Sequence, residues 1–205
     1  MIVRSPLVTM LPAMLRRCRR ESDGVTAVEF ALASPVLIML LVGIWDIGHM
    51  AYLSAVMHGA VQQVARKGTI EGADTSADDD YVKKVVSGVA PGARITTSRT
   101  SYYDFADISR PESWNDNNGN GVCDNSESYV DENGNGQWDA DIGQDGNGGS
   151  GDVVLYTVKV TYEPVFPLPF LDSMDNTRTL SATAVKKNQP YALQERYGSS
   201  ARTCT

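Results

Sequence analysis

Histidine and cysteine are scarce in this chain of 205 residues, which has two of the first and three of the second, and no lysine or arginine lies between Arg110 and Lys159. His49 and His58 stand nine residues apart in one helical pattern, a rotation of about 180°, so they cannot share a metal ion. Cys18, Cys123 and Cys204 have no C-x-x-C spacing, which excludes a zinc ribbon and a thioredoxin-like pair. Gly-x-Ser-x-Gly, Walker and His-Glu-x-x-His patterns are absent too, so no enzyme is expected. Lys and Arg total 18 against 25 Asp and Glu, a net charge of −7, which is unsuited to gripping phosphates, and no nucleic acid partner is expected. With 42% hydrophobic residues, there is enough apolar material for a modest folded domain.

The charge is uneven. Residues 1–24 carry Arg4, Arg16, Arg17, Arg19 and Arg20 against Glu21 and Asp23, and an acidic middle follows. From Val25 to Trp45 the sequence reads VTAVEFALASPVLIMLLVGIW, with Glu29 as its one ionisable side chain. About 20 helical residues cover a hydrocarbon core of roughly 30 Å, so this run is expected to span a membrane. Positive charge before the run and Asp46 after it place the N-terminus in the cytoplasm. A secretory signal peptide is the rival reading, but the run exceeds the usual apolar length, and Asp46-Ile47-Gly48-His49 stands where a small-x-small cleavage site would follow.

Glu29 is costly in hydrocarbon, roughly 2.5–3.5 kcal/mol on the lenient scale. It could snorkel toward headgroups or toward Arg19 and Arg20. Alternatively, a cut between Gly24 and Val25 would expose an α-amine at Val25, charged in large part at neutral pH. In a staggered bundle of parallel helices, the Glu29 carboxylate of one subunit could then neutralise the Val25 ammonium of the next.

Arg16-Arg17 through Gly24, Val28-Glu29-Phe30-Ala31-Leu32, Ser34-Pro35 and Ile44-Trp45-Asp46-Ile47-Gly48 resemble the N-terminal motif of TadE-like proteins, the minor pilins or pseudopilins of tight-adherence (Flp-type) pili. The likeness covers roughly residues 16–50. It implies processing by a prepilin peptidase at Gly24 and Val25, Glu29 as the assembly glutamate, and partnership with other pilin or pseudopilin subunits, inner-membrane pilus assembly machinery and membrane lipid.

Ile47, Met50, Ser54 or Ala55, Met57, Val61 and Val64 continue at spacings of three and four, which extends the helix to about Lys67, where Arg66 and Lys67 suit the helix dipole and Gly68 supplies a stop. Ser76 with Asp78 to Asp80 starts a second helix with Val82, Val85, Val86 and Val89 as its apolar stripe, ended by Pro91-Gly92. Runs 94–103, 153–162 and 177–187 read as strands, with Pro164, Pro167 and Pro169 in the connection between the last two. The expected fold is α+β: a long N-terminal pilin-like transmembrane helix followed by a small antiparallel sheet head with a calcium-loop insertion. The divisions are a basic leader (1–24), the helix (25–67), the head (68–110 and 152–190), the insertion (111–151) and a flexible tail (191–205).

Residues 116–127, DNNGNGVCDNSE, place Asp116, Asn118, Asn120, Gly121, Asp124 and Glu127 at positions 1, 3, 5, 6, 9 and 12 of a calcium loop, with the Val122 carbonyl at position 7. Oxygen ligands without His or thiolate favour calcium over zinc. A second copy has Asp131, Asn133, Asn135, Gly136, Gln137 and Asp139 in register. Its twelfth position is Ile142, so Asp141 or Asp145 would have to close the shell. The loops start 15 residues apart, too close for EF-hand helices, and resemble the helix-free calcium repeats of thrombospondin type 3 or dockerin-like chains. An acidic disordered linker is the competing reading. With the leader removed, Cys123 and Cys204 would sit in an oxidising compartment, where they could form a disulfide or remain free thiols. A membrane-anchored, calcium-dependent adhesin that never polymerises stands as the alternative to a pilin-like role.

Overall fold

In the computed structural model, residues 24–67, 75–124, 126–166 and 177–204 are described. The arginines of the leader, Cys18, Gly68, Pro167 and Pro169 lie outside them. Helix α1 (Val25–Lys67) runs 43 residues without a break, roughly 64 Å at the α-helical rise. Pro35 sits inside it and cannot donate to the carbonyl of Ala31. The Ser34 hydroxyl donates to that same oxygen at 3.3 Å and partly replaces the missing bond.

Helix α2 (Thr75–Val89) and six strands follow: β1 (Arg94–Tyr102), β2 (Ser128–Asp131), β3 (Gln144–Asp145), β4 (Val153–Tyr162), β5 (Arg178–Lys187) and β6 (Ser200–Thr203). The main sheet has the order β3-β1-β4-β5 and β2 pairs with β6, every pairing being antiparallel. This is the expected α+β class, and the three strands read from alternation agree with β1, β4 and β5 to within a residue at each end.

Alternation along β4 sends Tyr156, Val158, Val160 and Tyr162 to one face of the sheet, where Ala182 and Ala184 of β5 join them. The second half of α1 and the Val82 and Val86 stripe of α2 cover that face. Val85 and Val89 pack against the same core half-buried. Burying a Val or Leu side chain contributes roughly 1.5–3 kcal/mol, so this layer holds the head together.

The buried face of α1 is the one its apolar spacing suggests, with Met57, Val61 and Val64 buried and Met50 and Ser54 half-buried, except at its first position. Asp46, Leu53, Met57, Ala60, Val61, Val64 and Ala65 are buried, while Ile47 stays exposed. The inward position next to Ile47 belongs to Asp46, which meets Arg178 of β5, its Oδ2 lying 2.7 Å from Nη2. Ile47 is about 100° round the helix from Asp46.

The N-terminal end of α2 is tied to the sheet by Asp79, which accepts from Arg99 at 2.7 and 3.0 Å, from Tyr156 Oη at 2.8 Å and from Thr97 Oγ1 at 3.1 Å. Burial works against ionisation of this carboxyl, but the Arg99 and Tyr156 hydrogen bonds and the Arg99 charge outweigh it and hold Asp79 below its ordinary range. Burial and the same carboxylate push the Tyr156 phenol well above its ordinary value.

The insertion leaves the sheet at Tyr102 and returns at Val153, which are register partners. Tyr102, Val153 and Ile142 form a second small core there. Residues 191–204 are not the free tail their composition suggests. The Ser150 hydroxyl accepts from Tyr191 and Ala192 N–H, Gln194 donates to Tyr103 O and Asp152, Gly198 N–H donates to Glu132 O, and β6 pairs with β2. A disulfide joins Cys123 to Cys204, with Cα atoms 5.7 Å apart.

Candidate functional site

Two places carry chemistry that the core does not need. One is the first half of α1. Its most apolar 18-residue window has a mean hydropathy of 2.3, none of it is buried, and the helix is long and apolar enough to cross a membrane. Phe30, Leu32, Leu40, Ile44 and Trp45 all face outward, Leu32 at 77% exposure. Gly24 immediately precedes the helix and Val25 opens it, and Glu29 lies exposed in its second turn. Among the described residues, the structure brings no side chain to Glu29.

The exposed apolar surface of the helix gives way to the head at Asp46. Here Tyr162 and Arg178, register partners at one end of β4 and β5, meet the helix. His49 packs edge-on against Tyr162 at 5.6 Å and its Nε2 lies 3.2 Å from Val89 O. Among the described residues, Tyr162 Oη and Arg178 Nε have no hydrogen-bond partner, so the ion pair is the main polar tie described at this junction.

The other place is the insertion, where both loops fold alike. In the first, Asp116 accepts from the N–H groups of Gly119, Asn120 and Gly121 at 2.6–3.1 Å. In the second, Asp131 accepts from Gly134 at 2.8 Å and Gly136 at 3.0 Å. Gly121 and Gly136 have φ of 77° and 84°, a region that L residues with a Cβ rarely enter. The asparagines repeat the correspondence. Asn118 and Asn120 accept from the N–H two residues on and donate to Asp124. Asn133 and Asn135 accept from the N–H two residues on and donate to Asp139.

The closing carboxylates are crossed. Glu127 accepts from the N–H groups of Asn117, Asn118 and Asp124 in the first loop. The matching groups of the second loop, Glu132, Asn133 and Asp139, donate to Glu112, which is 0% exposed. Sequence reading assigned the second closure to Asp141 or Asp145, and the structure corrects this. Asp141 instead accepts from Tyr102 Oη at 2.9 Å, Asp145 lies in β3, and Ile142 is wholly buried in the second core. Burial and the Asp141 carboxylate push the Tyr102 phenol up to about 12. The signal was present, since Glu112 stands four residues before Asp116 as Glu127 stands four before Asp131.

The segments preceding the two loops lie side by side, with Trp114 bridged antiparallel to Tyr129, so each delivers its glutamate to the other's loop. Trp114 and Trp138 pack edge to face at 5.1 Å beneath the disulfide. Around the second loop, Arg110 forms a two-pronged pair with Glu132 at 2.7 and 3.0 Å. That pairing, working against burial, holds the Glu132 carboxyl below its ordinary range. Among the described residues no three His, Cys, Asp or Glu side chains converge as a metal-ligating group. The loops are held instead by asparagine amides on Asp124 and Asp139, and the oxygen-only donor set fits a hard cation in its chemistry.

The fold and these sites define a membrane-capable helix carrying an α+β head. Within that class, residues 24–66 match the family model described as TadE-like protein. The match takes in α1 almost from end to end and none of the sheet or insertion. No curated protein and no solved structure matches the chain.

Proposed function

We propose that this chain is a single-pass minor pilin or assembly pseudopilin of tight-adherence pilus biogenesis. Its N-terminus is in the cytoplasm and its head is periplasmic, or extracellular in the pilus. A prepilin peptidase cuts between Gly24 and Val25, and Glu29 of one subunit neutralises the new Val25 ammonium of its neighbour, setting the stagger of the bundle. The observation that carries this reading is the first half of α1, where the TadE-like match coincides with a fully exposed apolar helix. Other pilin or pseudopilin subunits, the inner-membrane assembly machinery and lipid are the partners such a surface suits.

The head is proposed to be stabilised by calcium. Asp116, Asn118, Asn120, Val122, Asp124 and Glu127 would hold an ion in the first loop. Asp131, Asn133, Asn135, Gln137 and Asp139, with Glu112 in place of Asp141, form the matching oxygen set of the second. When bound, calcium would neutralise carboxylates in a stretch rich in acid, and its binding free energy would add to that of folding. The 15-residue repetition of the donor pattern supports this part.

The test is the intact mass of the membrane-extracted protein together with a Glu29→Ala variant. A loss matching residues 1–24, and an E29A chain that inserts normally but no longer assembles, are the expected results. A full-length mass and unaltered behaviour of E29A would favour a non-polymerising, membrane-anchored adhesin.

A further inference from the structure

The two loops share one backbone but not one electrostatic setting. Asp116 and Asp131 occupy the same position and accept from the same turn glycines. Asp131, however, is 1% exposed and its Oδ2 lies 2.7 Å from Nε of Arg202. A Cβ placed on Gly136 would lie 3.6 Å from Arg202 Nη1, so the guanidinium rests directly over the turn of the second loop. Arg110 neutralises Glu132 beside it. Among the described residues, neither Asp116 nor Glu127 of the first loop forms an ion pair.

Arg202 is held in place. It lies in β6 opposite Tyr129 of β2, two residues before Cys204, whose disulfide to Cys123 and N–H bond to Glu127 O fix the end of the strand. A divalent cation in the second loop would share the Asp131 carboxylate with a guanidinium already seated there. Like charges sharing one carboxylate repel, and the more so where that carboxylate is buried away from water.

From this we infer that Arg202 is a built-in cation of the second loop: it takes the place of calcium there and restricts the chain to one ion, bound in the first loop. The inference rests on the calcium reading of the loops. It makes the C-terminal strand, not the ligand sequence, the determinant of which repeat is metal-selective.

Equilibrium dialysis of the full chain in detergent against calcium tests it by stoichiometry. The wild-type chain should bind one ion, and Asp116→Asn should weaken that binding at least tenfold. Arg202→Gln should raise the count to two, with Asp131→Asn in that background returning it to one. Two ions on the wild type, or one on R202Q with an unchanged circular dichroism spectrum, would overturn the role of Arg202 and leave the calcium reading standing. Retention of the wild-type ion by D116N would also overturn the assignment of the site. No ion on either the wild type or R202Q would overturn the calcium reading itself, and the role of Arg202 with it.

Discussion

Removing Arg178 should loosen the head from the helix that carries it. Its partner Asp46 is 9% exposed, and the two side chains meet at 2.7 Å. Two unit charges about 4 Å apart attract by about 4 kcal/mol at an effective dielectric of 20. Desolvation of Asp46, together with the solvent that reaches the 31% exposed Arg178 side chain, offsets much of this, leaving a coupling of roughly 1–2 kcal/mol. Arg178→Ala alone should cost more, about 2–3 kcal/mol, because it strands a buried carboxylate. The assay is a double-mutant cycle of Asp46→Ala and Arg178→Ala, with urea unfolding of the detergent-solubilised chain followed by near-ultraviolet circular dichroism. Urea is preferred to guanidinium because it does not screen the pair. Additivity of the two substitutions to within about 0.3 kcal/mol would refute the reasoning and reduce the ion pair to a surface contact.

Three further outcomes follow from the head. Asp79 titrates lower folded than unfolded, so its contribution is complete above the unfolded carboxylate value of about 3.9 and disappears as pH falls through the lower folded value. The melting-temperature gap between wild type and Asp79→Asn should therefore close in acid, and a gap constant from about pH 7 to pH 2 contradicts the role given to Arg99. Glu112→Ala removes a buried acceptor of three backbone N–H groups and should destabilise the second loop by roughly 3 kcal/mol, read as faster amide exchange at Asn133 and Asp139; unchanged exchange would count against the crossed closure. The disulfide closes a sequence separation of 81 residues, which chain entropy values at about 4.5 kcal/mol. Replacing Cys123 and Cys204 by serine should expose the amides of β2 and β6 first, and retention of their protection would show that strand pairing alone holds the C-terminus.

What the sequence revealed and what it concealed divide along the range of the interactions. The span of α1, the stripe of α2 and strands β1, β4 and β5 are written in local periodicity, because each buries one face against a single partner layer. The loops are written locally too, since asparagine, aspartate and glycine at fixed offsets build the same turns wherever they occur. Strands β2 and β6 carry no such mark. Each has four residues, and all four in β6 are exposed, so their pairing depends on a disulfide and on contacts between distant segments. The place of Ile47 was hidden for the same reason: its spacing from Met50 puts it on the buried face, but an aspartate paired with an arginine 132 positions away takes the inward position beside it. Glu112 lay between the two cases, visible in a 15-residue repeat once the unit is taken to begin four residues before each loop.

The layout also separates two tasks. Asp46 and His49 meet the sheet where β4 ends at Tyr162, whereas the insertion leaves and rejoins it at the paired Tyr102 and Val153. The ten residues of β4 put about 30 Å between these ends. Sites so far apart, with no shared partner, are expected to act additively to within roughly 0.5 kcal/mol. Arg178→Ala and Glu112→Ala combined should therefore destabilise the head by the sum of their separate effects. An excess of 1 kcal/mol or more would mean that β4 transmits the state of the loops to the helix junction. In that case cation binding in the insertion would bear on the stance of the head over the membrane-capable helix, and the two sites would have to be treated as one device.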